Sequence, residues 1–183
     1  AAPHLELPAP DRSRKPYVQA RWDRDTRVAV ISLAHTAHFN AVSPELTEDL
    51  SQAVNYVASQ VQGGAMVLEG SGPHFSIGAF PHAKHVEVPF EVMCVAVHQV
   101  AFICGLLRSL PHPVIAALHG YLAGGGIAIA LSASCRVCEF DAYMEQGNLI
   151  RGVVPVGEFS QTLWWDAGLA AANRIYLNHE VIS

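Results

Sequence analysis

The sequence predicts an α/β fold built on a largely parallel sheet. Three observations predict it. Short β-branched runs alternate with longer amphipathic patterns, glycine or proline stands at the changeovers, and just over half of the 183 residues are apolar while 15% are charged. A chain of this length buries a sizeable single core. Residues 1–16 carry four prolines and many charges and read as an arm or linker, which leaves 17–183 as one domain. Arg27-Val-Ala-Val-Ile-Ser-Leu33 is the first strand. Ser43 is a good N-cap, Pro44 suits the first helical position, and apolar spacing then runs to about Val61, so a helix follows. Gly63-Gly64 closes it, and Ala65 to Glu69 is a second strand leading into the glycine- and proline-rich loop Gly70 to Ala79. A long helix over about Phe90 to Leu110 ends at Pro111-His-Pro113. The strand Val114 to Leu118 then leads to Gly120-Tyr-Leu-Ala-Gly-Gly-Gly126 and an apolar helix. Val137 to Phe140 reads as another strand, a helix lies within Gly157–Gly168, and Leu169 to Leu177 is one more.

Composition narrows the function. No apolar run reaches the roughly 18 residues of a membrane span, and the start Ala-Ala-Pro-His-Leu-Glu lacks the basic and apolar parts of a signal peptide, so a cytosolic compartment is expected. A net charge of −5 argues against nucleic-acid binding, which asks for a basic face. Six of the eleven Lys and Arg residues fall between Arg12 and Arg27; they form a solvated arm or surface strand, or meet an acidic partner. Cys94, Cys104, Cys135 and Cys138 show no zinc spacing. Cys135 and Cys138, three apart on a strand, point to opposite sides and read as buried thiols, so no metal is expected.

Three consecutive glycines opening a helix are costly, at about 1 kcal/mol each relative to alanine, unless something must approach the backbone. A second glycine loop, residues 76–79, also follows a strand. Unpaired N–H groups from two such loops can be aimed at one developing negative oxygen, an oxyanion hole. Gly124-Gly-Gly126 has neither the dinucleotide-binding spacing nor the Walker ending of a phosphate loop.

Four stretches together resemble the crotonase (enoyl-CoA hydratase/isomerase) superfamily. They are Ile31-Ser-Leu with Asn40-Ala-Val; Val67-Leu-Glu-Gly-Ser-Gly-Pro-His-Phe-Ser-Ile-Gly-Ala79; Pro113 to Leu131; and Gly152-Val-Val-Pro-Val-Gly157. They stand in the family's order over about residues 27–183. The resemblance implies a crotonase-like spiral of β-β-α repeats and stabilisation of an acyl-thioester enolate. By position it makes the backbone N–H groups of Ile77 and Gly125 the oxyanion donors, with Gly124, Gly126 and Ala79 beside the substrate. It also explains the triplet, which lets the thioester oxygen reach a helix N-terminus.

Departures from the family pattern shape the expected reaction. The positions of the two glutamates that hydrate double bonds align with Ala128 and Asn148, and the carboxylate of several isomerases and dehalogenases aligns with Val156; Glu158 is near but out of register. Decarboxylation generates the enolate without a strong base, and the pattern resembles the decarboxylases of polyketide β-branching. These convert a 3-methylglutaconyl thioester on an acyl carrier protein. That resemblance gives Lys84 a catalytic role, although it stands a few residues early; His82 and His85 flank it as proton donors, and Asn148 and Tyr121 bind substrate. His119 at a strand end is read as packed, and Trp164-Trp165 as covering the core or a subunit contact. The loop Ala34 to Phe39 carries no Lys or Arg where many CoA-using relatives place one, which favours a phosphopantetheine arm on a carrier protein over free CoA, while His35 and His38 there count against it because either can be charged. No cofactor is expected beyond that arm or CoA. The resemblance implies a homo-trimer where the family's C-terminal helical region exists; here that region is absent or truncated, because the chain stops at its start. Two alternatives stand beside the decarboxylase: a dehydratase, hydratase or isomerase with non-standard acid/base residues in the 82–85 cluster or at Glu158, and a non-catalytic crotonase-fold binding domain.

Overall fold

A computed structural model describes residues 14–60, 63–79 and 90–183. The first strand precedes the expected one. β1 (Val18–Asp23) buries Val18 and Ala20 and leaves Gln19 and Arg21 outward, and it pairs antiparallel with β2 (Val28–Leu33). The hairpin between them is set by Asp23, whose Oδ1 accepts the N–H groups of Asp25 (2.9 Å) and Thr26 (3.4 Å). β2 then pairs parallel with β3 (Ala65–Gly70), β3 with β4 (Val114–Leu118), and β4 with β6 (Cys135–Cys138), giving the sheet order β1-β2-β3-β4-β6. The largely parallel sheet is observed, with an antiparallel strand at one edge.

α1 (Pro44–Gln60) and α2 (Phe90–Ser109) pack together. α1 buries Leu46, Leu50, Ala53, Val54 and Val57, a stripe at helical spacing, and α2 buries Val100, Ile103, Cys104 and Leu107 at i, i+3, i+4 and i+7. Ser43 caps α1, accepting the N–H of Leu46 at 3.2 Å. α3 (Gly125–Leu131) follows the glycine triplet, and α4 (Phe159–Ala167) and α5 (Leu169–Leu177) pack against each other.

A second small sheet places the site. β5 (Tyr121–Ala123) pairs parallel with β7 (Tyr143–Glu145); Ser76 bridges to Leu122 on one side and Ile182 to Met144 on the other. Three-residue strands are too short to show a period, which is why the sequence gives no sign of them.

Several expectations are corrected. The last strand of the main sheet lies at 135–138 rather than 137–140, and Cys135 and Cys138 are exposed, not buried: β6 is the edge strand and none of its four residues is buried. Trp164 and Trp165 do not cover the core. α4 buries Phe159, Thr162 and Leu163, so the two indoles fall on its other face, 44% and 60% exposed, and meet edge-on at 5.6 Å. The basic leading segment includes a surface strand, β1 at the sheet edge, and Lys15, Arg21, Arg24 and Arg27 are exposed, but two of its arginines are paired. Arg14 makes a two-pronged ion pair with buried Asp49, both N···O distances 2.8 Å, and Arg21 lies 3.4 Å from Glu69. Arg12 lies outside the described residues.

Candidate active site

The first glycine loop is held from behind by one buried amide. Asn40 is fully buried and sits, like Phe39 before it, in the left-handed region, at φ 56° and 51°. From there its Nδ2 donates to the carbonyls of Ser71 (2.9 Å), His74 (3.0 Å) and Phe75 (3.1 Å). Its own carbonyl accepts Ser76 Oγ at 2.7 Å, and that hydroxyl in turn accepts the Gly78 N–H at 3.3 Å. Asn40 and Ser76 are therefore positioning residues for the loop. The sequence marked Asn40 only as part of a family stretch, and nothing local identifies the three carbonyls it holds.

The second loop closes on the first through backbone alone. Ala123 N–H donates to the Ser76 carbonyl at 3.1 Å. A Cβ on Gly78 would stand 2.4 Å from the Ala123 carbonyl oxygen and 3.2 Å from the Gly125 nitrogen; one on Gly126 would stand 2.5 Å from the Ser76 oxygen. Gly124 has φ 42° and ψ −112°, a conformation that glycine alone tolerates here. Side chains at these positions would drive the two loops apart, so the glycines bring Ile77 and Gly125 into one place. Ala79 is exposed and bridges to Val42.

The two candidate donors differ. Among the described residues, no hydrogen bond is made by the Gly125 N–H. The Ile77 N–H donates to the Phe39 carbonyl at 3.3 Å, a long bond. A ligand oxygen at Gly125 thus has one open donor and a second that must tilt away from Phe39.

Around this point, Asn148 Oδ1 lies 3.0 Å from where a Gly124 Cβ would be. Ala128 is buried, with its methyl 3.5 Å from the corresponding point on Gly157, and Val156 is packed against the core. Glu158 is not directed at the glycine loops. It forms an ion pair with Arg108 at 2.8 Å, and Arg108 also donates to Ser132 Oγ at 2.8 Å. Burial pushes the Cys104 thiol up, so it stays protonated beneath Gly157. Lys84, His82 and His85 lie outside the described residues.

Tyr121 is only partly buried, and its hydroxyl donates to Glu145 Oε2 at 2.5 Å; its backbone N–H donates to His74 Nδ1 at 3.2 Å. Glu145 Oε1 also lies 2.9 Å from His179 Nε2. Neither Glu145 nor His179 stands out in the sequence, because 24 and 58 residues separate them from Tyr121. His119 is partly exposed rather than packed. Its Nε2 lies 3.0 Å from the Gly72 carbonyl, beside a cleft of about 470 Å³ at the carboxyl ends of β3, β4 and β6 that Glu69, Leu118 and Glu139 also line. In the Ala34–Phe39 loop, His35 stacks on Tyr17 with ring centroids 3.8 Å apart. Desolvation, and then the neighbouring His38, lower its pKa, which keeps it neutral at pH 7.

The family described as enoyl-CoA hydratase/isomerase matches residues 23–183. The chain belongs to that family. Enoyl-CoA hydratase/isomerase relatives include a probable enoyl-CoA hydratase of Bacillus subtilis, 28% identical over 159 residues, which are 87% of this chain and 61% of that protein. A probable enoyl-CoA hydratase of Mycobacterium tuberculosis is 29% identical over 133 residues, 69% of this chain and 46% of that protein. The chain therefore spans less than two thirds of these relatives. Among solved structures, an enoyl-CoA hydratase from Bacillus anthracis superposes with a TM-score of 0.83 at 24% identity, covering 91% of this chain and 64% of that one. Pseudomonas aeruginosa DspI gives 0.83 at 23% identity, covering 96% and 66%. The enoyl-CoA hydratase/isomerase fold is thus shared across these chains, with its crotonase-like arrangement of strands and helices.

Proposed function

We propose that this chain carries the thioester-binding core of an enoyl-thioester hydratase or isomerase whose proton-transfer groups are not the family's two glutamates. The observation that supports it is the Gly125 N–H, which has no hydrogen-bond partner among the described residues and is held against the Ile77 loop where no side chain fits. A thioester oxygen seated there gains negative charge as the enolate forms, and fixed backbone donors of this kind contribute a few kcal/mol to the transition state. The relatives' names favour this reaction class over decarboxylation. The carboxylates at the aligned positions are replaced by buried Ala128 and by Asn148, whose amide is suited to hydrogen-bond the acyl group. The test is incubation of the protein with crotonyl-CoA in D₂O. Deuterium entering the acyl chain, or water addition seen as loss of enoyl absorbance, supports the reading; neither, together with no binding, sinks it.

The same replacement favours a second reading. With no carboxylate at positions 128 and 148, loss of CO₂ from a 3-methylglutaconyl thioester forms the enolate without a base. In that case Lys84, His82 or His85 delivers the proton, and the neutral His35 suits a carrier-bound pantetheine better than the phosphates of free CoA. Protein-dependent loss of one CO₂ from a loaded carrier protein, read by intact mass, identifies this reaction. A thioester that binds but is changed in neither assay points to a binding domain.

A further inference from the structure

We propose that Gln146 is a substrate-binding residue whose side-chain amide accepts the O–H at the acyl β-carbon, either a β-hydroxyl or the water that becomes one. The inference rests on the enoyl-thioester reading above and narrows its substrate to acyl groups that gain or lose such an oxygen. Gln146 is 2% exposed, and among the described residues its Oε1 has no hydrogen-bond partner. An amide oxygen buried unpaired is costly, so one kept in that state requires a group from outside the chain to complete it.

The fold puts this amide on the side of the small sheet where α3 begins. Ser76 pairs with Leu122 and Leu122 with Met144, all in parallel, so their side chains share one face. That face carries the first turn of α3: a Cβ on Gly126 would stand 2.8 Å from the Ser76 Cβ and 2.9 Å from its Oγ. Gln146 follows Met144 by two residues, continues its alternation and is buried on the same face. The register of β5 with β7, carried one residue further, sets Gln146 beside Gly124, and its carbonyl lies 3.8 Å from where a Gly124 Cβ would be. Asn148 Oδ1, 3.0 Å from that point, closes the same corner. Paired strands stand about 4.8 Å apart, and a glutamine Oε1 reaches roughly 5 Å from its own Cα. The amide therefore extends towards the Gly124–Gly125 turn.

The spacing of an acyl thioester fits that corner. With the thioester oxygen on the Gly125 N–H, an oxygen on the β-carbon is four bonds away, roughly 3–5 Å from it. Ala128, buried at the position of a family glutamate, has no polar side-chain atom to receive it. An uncharged amide binds and orients the O–H without taking its proton. A saturated acyl chain leaves Oε1 unpaired, and a site built to bond an O–H discriminates against the analogue that lacks it.

The test is calorimetric titration with 3-hydroxybutanoyl-CoA and with butanoyl-CoA, alongside urea unfolding of the ligand-free protein. The wild type is expected to bind the hydroxy thioester about tenfold tighter. Gln146→Met, which keeps the length and removes the acceptor, should erase that preference and leave butanoyl-CoA affinity within about twofold. Gln146→Glu, which keeps an oxygen in place, should retain most of the preference. The urea midpoint of Gln146→Met should equal or exceed that of the wild type, because an unpaired buried oxygen is gone. A Gln146→Met protein that keeps the preference overturns the inference. So does a wild type that binds both thioesters equally, whether or not the variant folds; in that case the enoyl-thioester reading still stands. A wild type that binds neither thioester overturns that reading and this inference with it.

Discussion

At the scale of single residues, the site depends on groups whose weight is invisible in a side-chain list. Asn40 holds three carbonyls from a fully buried position, so Asn40→Ala leaves them without a donor and should destabilise the protein by about 2–3 kcal/mol, measured by urea denaturation. His35 gives a pH signature. Its pKa is lower folded than unfolded, first through desolvation and then through His38, so the unfolded chain binds the proton more readily. Its share of stability is present above the unfolded pKa, about 6.5, and is lost as pH falls below that value through the folded pKa. His35→Phe, which keeps the stack on Tyr17, should flatten the urea midpoint between pH 7.5 and pH 5, on the order of the unfolded-pKa window. A midpoint with the same slope in both proteins would discount His35.

At the scale of elements, the long helices and central strands follow from patterns that act locally. Ser43 before Pro44 starts α1, and Ser43→Ala should cost about 1 kcal/mol in thermal or urea unfolding, without changing thioester binding. α1, β2, β3, α2, β4, α4 and α5 were legible because each repeats its apolar positions over several residues. β5 and β7 were not legible, since three residues hold no period and each exists by pairing with the other. β1 was masked by the charges in and before it: Arg21 within the strand and Arg14 ahead of it read as part of a solvated arm or surface strand, and only the structure sets Glu69 and Asp49 opposite them.

At the scale of the whole molecule, the two sheets meet where the glycine loops touch, and binding there must couple to folding. A thioester that binds only the folded chain stabilises it by about 2.7 kcal/mol at a hundredfold excess over Kd. Crotonyl-CoA should therefore raise Tm in the wild-type protein. Gly126→Ala, whose Cβ would sit 2.5 Å from the Ser76 oxygen, should abolish that rise while lowering the baseline Tm. The sequence by itself determined the α/β class, the main helices and inner strands, and the position of two glycine loops after strands, because period, caps and glycine spacing are local properties of the chain; the thioester as their ligand is what the family resemblance implies. The tertiary structure alone decided that Ile77 N–H leans on Phe39, that Cys135 and Cys138 lie exposed on an edge, and that Tyr121, Glu145 and His179 meet. Each of these depends on pairing between segments far apart in the chain, and no local pattern encodes which carbonyl, neighbour or carboxylate will stand opposite.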